Sequence, residues 1–193
     1  DTNGDAGPNH FIQVINGSGG GIARVYNKSG GTLATFSIDS LGTGVCASGF
    51  GDGIVLYDPL ADRWFLAEFA GSGNNLCLYV STSPDPLSTW NGYIFSTPDF
   101  PDYPKFSVWP DAYYATTNEG SPAVYAFDRA RMLAGLPATS IRFTAPPLSG
   151  FPFQALTPGD LDGSTPPPAG APGYIMRHRD TEVHGPAGLP SQD

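Results

Sequence analysis

Basic residues are scarce. Nine Lys and Arg are scattered along 193 residues against eighteen Asp and Glu, leaving a formal net charge of -9. A chain with no basic stripe cannot neutralise a run of phosphates, which argues against nucleic acid and anionic lipid as partners. No apolar run approaches the ~18 residues of a membrane-spanning helix, and the N-terminus lacks a charged-then-apolar leader pattern. The chain therefore reads as soluble and already processed. Helical periodicity is nearly missing as well. Only "FDRARMLAGLP" carries it, with Asp128 as the N-cap and Gly135-Leu136-Pro137 as the stop. There is no GxSxG and no defensible Ser-His-Asp pattern. "GSGGG" at Gly17 to Gly21 links two strand-like runs instead of opening a helix, so it is no phosphate loop.

Glycine (25) and proline (20) are abundant, and hydrophobic residues still make up 40% of the chain and aromatics 12%. That combination describes short strands joined by punctuated turns, and the fold class expected is all-β. The length suffices for one domain with its own core. Cys46 and Cys77 lie in Gly/Ser-rich flanks on either side of "GDGIVLYDPLADRWFLAEFA". A disulfide between them would stabilise by roughly 3 kcal/mol in the chain-entropy model and would fit an oxidising, extracellular setting. Two separate buried thiols are the other reading.

Internal repetition sharpens the fold expectation. "NHFIQVIN", "DRWFLAEFA", "DAYYATTNE" and "GYIMRHRD" each place an aromatic (Phe11, Trp64, Tyr113, Tyr174) after a turn residue and before alternating strand residues. Strand, polar connection and strand follow the first three. "GDGIVLYDPLADRW" aligns with "DYPKFSVWPDAYY", matching Asp52 to Asp102 and Val55 to Lys105. The unit is four strands in roughly 50 residues, the meander of a β-propeller blade. Units fall at about 1–40, 50–97, 102–145 and 151–193, the first without a leading strand and the last without outer strands. The expectation is a single propeller-type domain, 1–193, forming part of a larger propeller, with exposed edge strands open to self-association. An irregular β-sandwich is the alternative.

Several stretches, "IVLYDPLADRWFLAEFA", "DYPKFSVWPDAYYATTN", "VYAFDRARMLAGLPAT" and "DLDGSTPPPAGAPGYIM" among them, together resemble a family of secreted bacterial proteins of unassigned activity. The resemblance covers most of the chain and implies a propeller-like exported protein, often accompanied by accessory domains. It supplies no catalytic residues. Gly53 stands where such proteins carry a proline.

In a propeller the residues ahead of each innermost strand gather at one mouth of the central channel. Asp52, Asp102 and the pair Asp160/Asp162 are candidates for that ring. Two such carboxylates could cleave a glycosidic bond, as acid and base or nucleophile, if held about 5 to 10 Å apart. The plainer role is an Asp that accepts backbone N–H bonds and fixes a turn. Tyr103, Lys105 and Trp109 are candidate ligand-binding residues, the aromatics as platforms for sugar rings. Asp1, Asn3 and Asp5 alternate as at the start of an EF-hand loop and suggest calcium, although Ile12 stands where the loop needs its closing Glu, and a surface Asp/Asn turn is the plainer reading. His178, Asp180 and His184 offer zinc two imidazoles and a carboxylate, on a segment that fixes no geometry. The function expected is a secreted, extracellular binding or structural propeller that engages a glycan polymer or a protein partner. The alternative is a carbohydrate-active hydrolase using Asp102 with Asp52 or Asp162.

Overall fold

Alternating apolar residues between short turns fold into three successive antiparallel meanders in the computed structural model, which describes residues 2–148, 154, 156–163 and 165–177. The first sheet comprises β1 (Thr2–Ala6), β2 (His10–Asn16), β3 (Gly21–Asn27) and β4 (Thr32–Ser37). The second comprises β5 (Gly49–Asp58), β6 (Arg63–Ala70), β7 (Asn75–Ser81) and β8 (Trp90–Ser96). The third comprises β9 (Lys105–Val108), β10 (Tyr113–Thr117), β11 (Ala123–Phe127) and β12 (Ser140–Thr144). Strand order within each sheet follows the chain. A short pair, β13 (Thr157–Pro158) with β14 (Ile175–Met176), begins a fourth unit. The one α-helix among the described residues, α1 (Arg129–Leu133), is where helical spacing predicts it: Asp128 accepts from Arg131 N–H at 3.1 Å, and Gly135, at φ 67°, ends the turn.

The sheets stack face to face. On β6, Phe65, Ala67 and Phe69 pack with Phe106, Tyr113, Tyr125 and Phe127 of the third sheet. Trp64, Leu66 and Ala70 pack with Ile12, Val14, Ala23 and Val25 of the first. The middle sheet is therefore covered on both faces, and every residue of β6 after Arg63 is buried. In the outer sheets β3 and β11 alternate between a buried and a less buried face, while β9 and β10 are buried on both faces at Ser107–Val108 and Thr116–Thr117. The disulfide Cys46–Cys77, with its Cα atoms 5.7 Å apart, ties the turn Gly44–Ala47 to β7.

All-β architecture and four-stranded antiparallel units are present; a closed propeller is not, among the described residues. The first unit does have a leading strand, β1, which was read from the sequence as a turn. Thr2–Ala6 is polar and glycine-bearing, and pairing with β2 is what makes it a strand. The ring of Phe11 lies over Gly4, where a side chain would collide with it. The alignment of the units is also one residue off. Ile54 pairs with Ala67, and Lys105 with Thr116, each three residues past Trp64 or Tyr113. Lys105 is thus the counterpart of Ile54 rather than Val55. Asp52 is the counterpart of Tyr103 rather than Asp102, and both are left-handed at φ 51°. A one-residue slip exchanges the faces of a strand, which is why it changes the site.

Candidate functional site: two mouths along the innermost strands

The innermost strands β1, β5, β9 and β13 touch one another in succession. Because β5 and β9 pair on one side only, they carry outward N–H groups that require partners. Neighbouring units supply them. Asn3 Oδ1 accepts from Val55 N–H at 2.7 Å, and Asp5 Oδ2 from Tyr57 N–H at 2.6 Å. Asp160 Oδ1 accepts from Val108 N–H at 2.7 Å. Asn3 and Asp5, expected to open a calcium loop, are instead edge-strand caps, and Asp1 lies outside the described residues. Among those residues no group of three His, Cys, Asp or Glu side chains is placed to hold a metal ion. The zinc candidates His178, Asp180 and His184 also lie outside them.

At the leading ends of the strands, Asn3, Asp52, Ile54, Tyr103, Pro104 and Lys105 help line a cavity of about 360 Å³. Four of the residues singled out from sequence, Asn3, Asp52, Tyr103 and Lys105, therefore meet. Lys105 Nζ sits 3.7 Å from the centroid of the Tyr103 ring and donates to Pro104 O at 3.2 Å. Burial pushes its ammonium pKa down, while Asp52 and Asp102 pull it back. Asp102 acts on Lys105 from outside the cavity lining, and its carbonyl accepts from Asn118 N–H at 2.7 Å. Asp52 is fastened to the preceding sheet: its N–H donates to Asn16 Oδ1 at 2.8 Å, and Asn16 Nδ2 donates to its carboxylate at 2.9 Å. Gln154 N–H makes the matching bond to Asn118 Oδ1 at 3.0 Å, again across 36 residues. These two asparagines were not singled out from sequence. Their common place, the fifth residue past Phe11 and past Tyr113, is a signal visible only once the units are in register.

At the trailing ends, Asp5, Tyr57, Asp62, Leu161 and Asp162 help line a second cavity of about 510 Å³. Tyr57 donates to Asp62 at 2.5 Å, and burial together with that carboxylate raises the phenol pKa. Enclosure raises the pKa of the Asp160 carboxyl, the amides of Val108 and Leu161 lower it, and the nearby Asp162 and Asp5 carboxylates raise it, although the residue as a whole is exposed. Asp52 and Asp162 serve opposite ends of β5. At about 3.3 Å per strand residue, the stretch from Asp52 to Tyr57 is on the order of 15 Å, beyond the carboxylate spacing of a glycosidase. Trp109 is in neither cavity. It is 8% exposed, donates to Ala171 O at 3.1 Å and meets the Tyr174 ring edge-on at 6.0 Å. It packs the segment leading into β14, at Ala171 and Tyr174, against the end of β9.

No family model, curated protein or solved structure matches the chain. Among the described residues no helix is long and apolar enough to cross a membrane.

Proposed function

We propose that the chain is an extracellular binding module built from β-propeller-type blades, and that the mouth at Asn3, Asp52, Tyr103 and Lys105 takes a stretch of glycan polymer. The observation that carries this reading is the Tyr103–Lys105 platform. An aromatic ring 45% exposed, an ammonium 3.7 Å from its centroid and a neighbouring carboxylate share one cavity of ligand size. A sugar offers an apolar ring face to stack and a rim of hydroxyls to bond, which this set of groups complements. The blade reading is supported by three meanders in chain order with their innermost strands in succession. The disulfide supports an oxidising compartment.

The test is calorimetric titration with a panel of oligosaccharides. Tyr103 is left-handed, so Asn, which tolerates that conformation, is the replacement that removes the ring without straining the backbone. Tyr103→Asn is expected to weaken binding about fivefold, in line with ~1 kcal/mol for a lost ring contact. Undiminished affinity, or no glycan bound by the wild type, would sink the proposal, and a protein partner at the same mouth would then take its place. One observation favours a hydrolase: the clustering of Asp160, Asp162 and Asp5, with the Asp160 carboxyl raised. Release of reducing ends from the same panel, lost in Asp162→Asn, would establish it.

A further inference from the structure

Two carboxyl groups meet between the first and second sheets, away from both cavities. Glu68, on β6, is 2% exposed. Its Oε2 accepts from Gly21 N–H of β3 at 2.9 Å, while Oε1 is buried with no hydrogen-bond partner. Asp39, in the turn Ile38–Leu41, accepts from Gly49 N–H of β5 at 2.5 Å. Both carboxyls converge over Gly49, where an added methyl would collide with Glu68 Oε2 and Asp39 Oδ1. A methyl on Gly20 would likewise run into Asp39. Glycines thus make the room in which the acids approach each other.

Among the described residues, the groups facing Glu68 contain no compensating cation. β3 presents only the Gly21 amide, and β5 presents the Gly49 amide, already bonded to Asp39. β7 presents Cys77, directly opposite and locked in the disulfide, together with the phenol of Tyr79, which is bonded to Cys46 O at 3.3 Å. Asp39 is the one charge among the causes that act on Glu68. Two ionised carboxylates cannot lie against each other in such a place. A proton on Glu68 removes that conflict and lets its carboxyl donate an O–H to the Asp39 carboxylate.

We propose that Glu68 stays protonated against the Asp39 carboxylate and that this proton joins the first sheet to the second at neutral pH. Burial, and then the Asp39 carboxylate, push the Glu68 acid up to about 8 against the opposing Gly21 amide. The unfolded chain releases the same proton near 4.5. A raised folded pKa means that the stabilisation is complete below about 4.5, declines as pH rises, and is gone once pH passes through about 8. One proton corresponds to about a tenfold fall in the folding constant per pH unit, about a thousandfold across the window. The junction is therefore acid-favoured, and alkaline conditions loosen it.

The experiment combines carbon NMR of the Glu68 carboxyl in the intact protein with urea unfolding from pH 5 to 9. Wild type is compared with Glu68→Gln, an isostere that keeps an oxygen for the Gly21 N–H and does not titrate. The Glu68 signal is expected to titrate near 8, and the wild-type folding constant to fall by about tenfold per pH unit relative to the variant. Titration of Glu68 in the ordinary carboxylate range, or parallel pH profiles for the two proteins, overturns the proposal. If the variant does not fold, the wild-type titration alone decides.

Discussion

Removing the Arg129 guanidinium should be among the most damaging single changes in this protein. Asp58 ends β5 with no exposed surface, and its carboxylate accepts five hydrogen bonds. Arg129 contributes Nε at 2.7 Å and Nη2 at 2.9 Å, Tyr113 its hydroxyl at 2.8 Å, and the turn amides of Leu60 and Ala61 the rest, at 3.1 and 3.0 Å. The cluster joins the second sheet to the third through α1. Arg129→Met keeps most of the side-chain volume but leaves a buried carboxylate without its cation, at a cost of about 3–5 kcal/mol. Adding Asp58→Leu removes the stranded charge as well. The double variant should then recover at least ~1.5 kcal/mol relative to the sum of the two single losses, although the amides of Leu60 and Ala61 remain orphaned at ~1 kcal/mol or more each. Urea unfolding of the wild type, both singles and the double at pH 7 gives the cycle. A loss under ~1 kcal/mol for Arg129→Met, or strictly additive single effects, would show that the pair is not the coupled, desolvated unit its geometry describes.

Two further outcomes follow from the contacts between units. Replacing Cys46 and Cys77 together by serine opens a link spanning 31 residues and is expected to cost about 3–4 kcal/mol; unfolding midpoints unchanged by reductant in the wild type would contradict this. Asn16→Asp sets a second carboxylate against Asp52 and removes the Nδ2 donor, so a loss of about 1 kcal/mol at low salt is expected, shrinking as salt rises. A salt-independent loss would assign the effect to backbone distortion instead.

What sequence could and could not reveal follows from the range of the interactions involved. Alternation and turn residues act over a few positions, so the strands from His10 to Thr144, the Asp128 cap and the all-β class were legible before any tertiary contact was known. Cys46 and Cys77 announced a link through their flanks, and the disulfide is there. β1 was hidden because Thr2–Ala6 has little strand propensity of its own; β2 pairs with it, and its Asn3 and Asp5 side chains cap the next sheet. The true counterpart of Asp52 was hidden because the turn between β5 and β6 is two residues longer than the turn between β9 and β10, Tyr57 pairing with Trp64 but Val108 with Tyr113, which shifts the register of the innermost strands. That shift brings Tyr103, rather than Asp102, into the cavity lining with Asp52. Trp109 reads locally as a platform, but Ala171 and Tyr174, more than 60 residues on, lie against it. Glu68 carried no local mark at all: in "FLAEFA" it reads as an ordinary solvated acid, and only the stacking of sheets on both faces of β6 buries it against Asp39. Local pattern determined the strands and their turns. Register, edge capping and the environment of each charge were decided by the neighbouring unit, because those depend on groups dozens of residues away.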